Sequence, residues 1–542
     1  MQQLGPVLQF LGSQNNAWGI SALVVVDAAD AAPQFKLAGA QATLQSAVNK
    51  TSCPVPGQPC VAWRFDFAVP QTAVPQVVTF TVSGQNQSQS QSQNQNQSQS
   101  YSFNVPALGA MPSLAYASCN GFSSASAIKS TPVPNALWAR LQRLHMLVDK
   151  VDTQTFGPYH LLLLGGDQVY SDAMWAVLPE LKAWAELDHH TRITAPFTPA
   201  LQAAVTAYFS KIYLERWSQP DVAAALASVP TVMMWDDHDI MDGWGSHPAE
   251  LHECPVFQGI FNVAKAAFEL FQRHIMQPGA HAPATLPGQS AHNSGYRMGA
   301  AGLLALDMRS ERSPRSGDVT GGGGVLHAEQ VMSENSWRAV YQWLDAQEAA
   351  GDLKHLFVMS SIPVVHPSFE VLEKMLGIFP GQQSLEDDLR DHWTSPPHKA
   401  ERLRLVHRLL AASAKGIRIT LLSGDVHVAA VGVIESDRSS ASANGRVINQ
   451  LTSSGIVHPP PPGVALLFLE QACQRVDTID RGITGTMHEF PTTNHRMIGA
   501  RNFLTLQPDG INPNGLGQER YWANWWAEGE PHPYTKVIHP VG

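Results

Sequence analysis

The sequence predicts an α/β fold, a layered core with helices on both faces, preceded by an all-β region. Two observations predict the core. Several continuous apolar runs stop abruptly in clusters of Asp, His, Cys or Ser, as buried strands do. Between those runs lie segments with apolar residues at helical spacing. A third observation predicts the leading region. Residues 1–107 carry short runs rich in Val, Phe and Trp, partly alternating and separated by Pro and Gly.

Residues 17–27 (AWGISALVVVD), 61–69, 77–84 and 100–108 read as strands, so residues 1–108 are expected to form an N-terminal β-sandwich domain. The tract 85–100, QNQSQSQSQNQNQSQS, has no apolar residue to bury and is expected to be a disordered loop. The second domain is expected over 109–542. MPSLAYASCNG (111–121), YHLLLLGGDQVYSD (159–172), VPTVMMW (229–235), 296–312, 353–365, 417–435 and 447–455 read as its strands. Residues 135–151, 201–217, 222–229, 261–275, 328–350 and 399–414 read as helices. The tail, 497–542, adds strand-like RNFLTLQ and Trp522, Trp525 and Trp526, residues that usually serve packing.

The formal net charge of −10 argues against sequence-specific or non-specific nucleic-acid binding, which needs a basic face. It does not exclude a small anionic substrate where metal ions supply positive charge. Five cysteines, an odd number, imply no disulfide framework; Cys53 and Cys60 either pair or stay free thiols. No stretch approaches the ~20 apolar residues of a membrane helix, and the first residues lack a secretory pattern. A cytoplasmic location is expected, or a secreted or periplasmic one if a leader has been removed. Gly321 to Gly324 is followed by no GK[ST], and no GxSxG elbow appears, which argues against a P-loop and a serine hydrolase.

The organising stretch is VPTVMMWDDHDIMDGWGSH (229–247). An apolar run breaks into Asp236, Asp237, His238, Asp239 and Asp242. Carboxylates this close repel one another unless a cation or a set of donors compensates. Three other runs end alike: YASC at Cys119, GGDQVY with Asp167 and Tyr170, and SGDVH with Asp425 and His427. Each alone is weak, because a buried Cys is usually a small hydrophobe and a lone His a satisfied core residue. Together they offer oxygen, nitrogen and thiolate donors at strand ends, the composition of a two-metal site.

The order GDxxY, DDHD, GDVH resembles the calcineurin-like metallophosphoesterases. With the ASC motif at Ala117–Cys119 and LDMRSER at 306–312, it resembles their alkaline phosphatase D (PhoD-like) branch. The resemblance covers roughly 110–540. It implies a core of two central sheets flanked by helices, with an N-terminal β-sandwich, and hydrolysis of phosphate monoesters or diesters by a metal-bridging hydroxide. It implies that Cys119, Asp167, Tyr170 and His427 hold a first metal, expected to be ferric iron. Asp167 would bridge to a second ion held by Asp237 and Asp425. That ion is expected to be calcium or magnesium, with manganese or zinc as alternatives. Further His ligation to the second ion, usual in the superfamily, has only Ser360 and Ser361 at the matching strand, with His366 just beyond.

His238, oriented by Asp239, is the expected proton donor to the leaving oxygen, and Arg309 the expected clamp on the phosphate. Arg309 also reads as a structural ion pair with Asp307 or Glu311. Asp236, Asp242 and His366 are additional candidates. The expected substrate is a phosphate-ester small molecule or lipid. Rival readings are a phospholipase D-like or nucleotide phosphodiesterase with the same site, and a non-catalytic binding protein with a degenerate one. Trp244, His247 and residues 366–398 are expected to shape the pocket.

Overall fold

Strand ends carry the candidate residues, so the sheets are the part of the architecture that matters most. The structure is a computed structural model. It describes residues 2–38, 43–44, 49–53, 55, 59–83, 99–277, 279–314, 330–367, 392–438, 442–509 and 519–541. Residues 85–98, Gly321 to Gly324 and residues 368–391 lie outside these.

The larger of two main sheets is centred on three parallel strands, Leu114–Ala117, Leu161–Gly165 and Thr231–Met234. All of their residues are buried, as their unbroken apolar sequence requires. On one side the tail continues the sheet through Asn502–Pro508, Tyr521–Ala527 and Tyr534–Ile538. Trp525 and Trp526 are fully buried there, whereas Trp522 is 38% exposed. The second sheet has a parallel run of Ala301–Ala305, His355–Met359, Arg418–Ser423 and Val447–Ser453, extended by antiparallel strands. The fold is thus mixed α/β with several sheets. Helices Glu334–Ala350 and Lys399–Ala414 pack against each other, and the latter also packs on the second sheet.

The expected separate sandwich over residues 1–108 needs correction. Strand Gln2–Gln14 runs parallel beside Thr231–Met234, with Gln9 opposite Thr231, and Ala17–Asp27 and Cys60–Pro70 follow it outward. Without it, the edge of Thr231–Met234 would expose unpaired backbone groups. The leading region therefore extends the core sheet across the boundary at 108. A further three-stranded sheet, Gln34–Ala38, Gln76–Ser83 and Gln99–Val105, is joined to Cys60–Pro70 by packing of Phe35 on Phe65 and Phe67. Gln2–Gln14 escapes sequence reading because Gly5, Pro6, Gly12 and four Gln punctuate it, and its register shifts near those glycines. Cys53 and Cys60 stand opposite each other with no disulfide between them.

Candidate metal centre

Each of the three central strands of the larger sheet delivers a polar group at its carboxyl end: Cys119, Asp167, and Asp236 to Asp239. The second sheet delivers Asp425 and His427 from the turn after Arg418–Ser423. The two sheets are knitted at this point. Ile456 N–H donates to the Ser118 carbonyl at 3.1 Å, and Val457 and His458 N–H to that of Cys119 at 3.3 and 3.2 Å. Gly424 lies so close to the Ser118 hydroxyl that a Cβ would collide with it, so the GD turn requires glycine there.

Four of the expected ligands sit in the left-handed backbone region: Cys119 (φ 57°), Asp167 (φ 54°), Asp425 (φ 70°) and His427 (φ 53°). Such a conformation costs non-glycine residues of order 1–3 kcal/mol each and clusters at functional sites. Ligand atoms of Cys119, Asp167 and His427 lie within 4.8 Å of one another. The same holds for Asp167, Asp237 and His238, and for Asp236, Asp237 and Asp425. Asp167 and Asp237 each belong to two of these groups.

The centre is under electrostatic tension. Asp167 is buried, and its Oδ1 has no hydrogen-bond partner. Burial, together with nearby Asp236, Asp237 and Asp239, holds its pKa well above the usual carboxylate range, against the pull of His238. Cys119 Sγ lies 3.3 Å from Asp167 Oδ2 and 3.0 Å from Ser454 Oγ. Burial and the Asp167 charge push that thiol well up. Tyr170 Oη lies 3.4 Å from Asp167 Oδ2 and 3.4 Å from His427 Nε2. A buried thiol, phenol, imidazole and bare carboxylate oxygen at these spacings suit a cation.

Asp237 differs. Burial raises its pKa, but Arg309, His238 and the Gly243 N–H outweigh that and bring it below the usual value. Its Oδ2 accepts from Gly243 N–H at 2.8 Å, while Oδ1 has no hydrogen bond. The Asp425 Oδ2 lies 2.8 Å from His392 Nε2.

Two expected roles are corrected. The ring of His238 is oriented by Asp172, not Asp239: Nδ1 lies 2.7 Å from Asp172 Oδ2. Burial lowers the pKa of His238, but Asp172 and Asp237 outweigh it and hold the imidazole well above its ordinary value. Asp239 is saturated elsewhere. Its oxygens accept from the N–H groups of Gln168, Val169 and Asp236 and from Gln272 Nε2, at 3.0–3.2 Å. It fastens the GDQV loop to the DDHD turn.

Arg309 is likewise no phosphate clamp. It is 1% exposed; its Nε donates to Asp236 Oδ1 at 2.5 Å and its Nη1 to the Trp244 carbonyl at 2.7 Å. Nor is its ion pair with Asp307 or Glu311: the carboxylates it meets are Asp236 and, at 3.5 Å, Asp237. Asp236 is therefore tied by a guanidinium. Asp242 contributes its backbone N–H, which holds Asp172 Oδ1 at 2.8 Å. Trp244 is stacked on His252 and Phe261 and buried, so it packs the core rather than lining a pocket. His247 sits edge-on to Phe257. His366 is buried with its ring edge-on to His392 at 4.8 Å.

Sequence reading missed Asp172, Ser454, His392 and His458. His458 stacks on His427 at 3.7 Å and also faces Tyr170, and its Nδ1 donates to the Pro459 carbonyl. The proline run next to it was the available signal. A cavity of about 490 Å³ opens beside Tyr170, lined by Gly121, Phe122, Ile212 and Arg216 among others.

Comparison with known proteins bears on the fold and the family. A solved structure titled "Structure of PhoD" superposes with a TM-score of 0.52, covering 98% of this chain and 88% of that one, at 12% identity. At that identity the likeness speaks to the fold. The uncharacterized protein YGR266W of Saccharomyces cerevisiae is 27% identical over 489 residues. The match covers 76% of this chain and 64% of that protein, so this chain spans somewhat under two thirds of its relative's length. The family described as PhoD related phosphatase matches residues 143–382 and 371–500, which include Asp167, Tyr170, the DDHD turn, Asp425 and His427, though not Cys119. With two stretches that together span most of the sequence, the chain belongs to the family of PhoD related phosphatases.

Proposed function

We propose that this protein is a metal-dependent phosphoric ester hydrolase, built on two central sheets whose strand ends converge. The observation that carries the reading is Asp167: a buried carboxylate in a left-handed turn, with one oxygen lacking a hydrogen bond, among Cys119, Tyr170, His427 and Asp237. Cys119, Asp167, Tyr170 and His427 would hold a first ion, for which a thiolate and a phenolate favour ferric iron. Asp167, Asp237 and Asp425 would hold a second. The carboxylates taken by themselves suit calcium or magnesium.

When bound, such ions supply Lewis acidity toward phosphoryl oxygens and lower the pKa of water. The chain's own residues do the rest. His238, oriented by Asp172, whose charge raises the imidazole's pKa, donates a proton to the leaving oxygen. Arg309 keeps Asp236 and Asp237 aligned from behind the site. Tyr170, stacked on His238 at 4.3 Å, fixes the face that the imidazole presents.

The test is hydrolysis of mono- and diester p-nitrophenyl phosphates by purified protein before and after chelation. Turnover that chelation removes and metal restores supports the reading. Chelator-resistant turnover, or none with any metal, contradicts it. An iron-loaded protein should also show a visible tyrosinate charge-transfer band; an active, iron-free, colourless protein removes the ferric assignment.

A further inference from the structure

We infer that Arg216 binds an anionic group of the substrate in the cavity beside Tyr170, so that the preferred phosphate ester carries a second phosphate or a carboxylate on its leaving group. The inference deepens the proposed function and rests on it. Arg216 stands in the last turn of helix Pro199–Trp217, outside every motif at the strand ends.

Its protein partners are neutral. Nε and Nη2 donate to Asn120 Oδ1 at 3.0 and 2.8 Å, and Nη2 also donates to Asn135 Oδ1 at 2.7 Å. Among the described residues no carboxylate pairs with it, and its Nη1 has no hydrogen-bond partner. The side chain is half-buried, and burial lowers its pKa to about 10, which leaves it charged at neutral pH. Arg273 and Arg418 are likewise held by neutral oxygens, but of the three Arg216 alone lines this cavity. A guanidinium drawn partly out of water with no counter-charge has its full attraction left for an anion.

The cavity is where a leaving group would lie. Tyr170 forms part of its wall, while the same residue's Oη lies 3.4 Å from Asp167 Oδ2. The Tyr170 ring also stacks on His238, the proposed proton donor, at 4.3 Å. A leaving oxygen served by His238 therefore departs beside Tyr170, next to the space that Arg216 lines. At about 490 Å³ that space suits a small organic group. Glu215, the only carboxylate among its described lining residues, is exposed and lies 3.6 Å from Lys211 Nζ.

A purely structural role, holding Asn120 next to Cys119, is the rival. Inhibition of p-nitrophenyl phosphate hydrolysis by the metal-loaded protein separates the two. The inhibitors are alkyl monophosphates and chains of matched length that end in a second phosphate or in a carboxylate. At the length that spans from the ions to Arg216, the doubly anionic compound should bind at least ~10-fold tighter than its monophosphate counterpart. The two series show which end group fits. Arg216→Gln should erase that ratio, and Arg216→Lys, which keeps the charge, should retain part of it. The ratio decides because lost support of Asn120 weakens both inhibitors alike. Should R216Q fail to fold, Ile128→Glu replaces it: Ile128 is 56% exposed on the same wall, and a carboxylate there should erase the ratio by repulsion. Equal binding of both kinds of inhibitor at every length in wild type overturns the assignment of Arg216 and leaves the hydrolase reading intact, as does a ratio that survives R216Q or I128E. A wild type that hydrolyses no phosphate ester with any metal removes both.

Discussion

Asp167 and Asp307 are both buried aspartates at the ends of parallel strands, and they have opposite fates. Asp307 takes a full set of donors. Oδ1 accepts from Trp235 Nε1 at 2.9 Å and from the N–H groups of Arg309 and Ser310; Oδ2 accepts from His292 N–H at 2.8 Å and the Ser310 hydroxyl. Burial raises its pKa, but His292, Ser310 and Trp235 outweigh that and bring it below normal. Asp167 has a bare Oδ1, acidic neighbours, a strained backbone and a pKa well above normal. A fold that can satisfy one buried carboxylate so fully and leaves the other unsatisfied points to a partner outside the chain for the second.

Substitutions can break this comparison. The largest effect expected is from Asp167→Asn, which should abolish phosphoesterase turnover and metal binding; retained turnover would contradict its place in the centre. Next comes His238, the proposed proton donor. His238→Asn should lower kcat by roughly 10²–10⁴-fold, and Asp172→Asn should fall in the same direction. Asp239→Asn, by contrast, should show its loss in thermal stability before kcat. If Asp239→Asn proves the more damaging to kcat, the orienting role belongs to Asp239 after all. At Asp307, replacement by Ala strands five donors and should cost about 3–5 kcal/mol in chemical unfolding.

The smallest effect concerns a satisfied histidine far from the motif residues. His145 is buried, its Nδ1 accepts the Tyr159 N–H at 3.1 Å, and burial lowers its pKa from 6.5 to about 4. The unfolded chain takes up a proton below 6.5 while the folded protein resists it. Its stability contribution is therefore full above that pH and lost as pH falls toward 4. At about 1.4 kcal/mol per unit, wild type should lose up to roughly 3 kcal/mol more than His145→Gln between pH 7 and 4. Parallel pH profiles for the two proteins would refute this.

The strand-end motifs were legible because buried strands announce themselves as apolar runs, and a polar cluster closing such a run is conspicuous. Cys119, Asp167, Asp237, Asp425 and His427 were found in this way; Cys119, Asp167 and His427 lie together, while Asp425 groups with Asp236 and Asp237 rather than with Asp167. Partner choice was not legible. Asp239 and Asp172 are equally acidic in sequence; only the turn's backbone decides that the first meets N–H groups and the second meets His238. Arg309 read as a phosphate clamp because nothing in LDMRSER says its guanidinium turns inward to Asp236. His392 and His458 lie in loops without period, so no pattern marks them. Four N-terminal strands, Ala17–Asp27, Cys60–Pro70, Gln76–Ser83 and Gln99–Val105, read as strands, but Gln2–Gln14 did not, and its parallel pairing of Gln9 with Thr231, more than two hundred residues on, leaves no local trace.

The central claim is that the Asp167 centre is incomplete without a cation. The most direct measurement is thermal unfolding of wild type, Asp167→Asn and Asp307→Asn, each stripped of metal and then given a divalent ion. Metal-free Asp167→Asn should be at least as stable as wild type, because it removes an uncompensated charge. Wild type alone of that pair should gain on adding metal, by about 2.7 kcal/mol at a hundredfold excess over Kd. Should Asp167→Asn instead lose as much as Asp307→Asn without metal, and still gain from the ion, the account is contradicted.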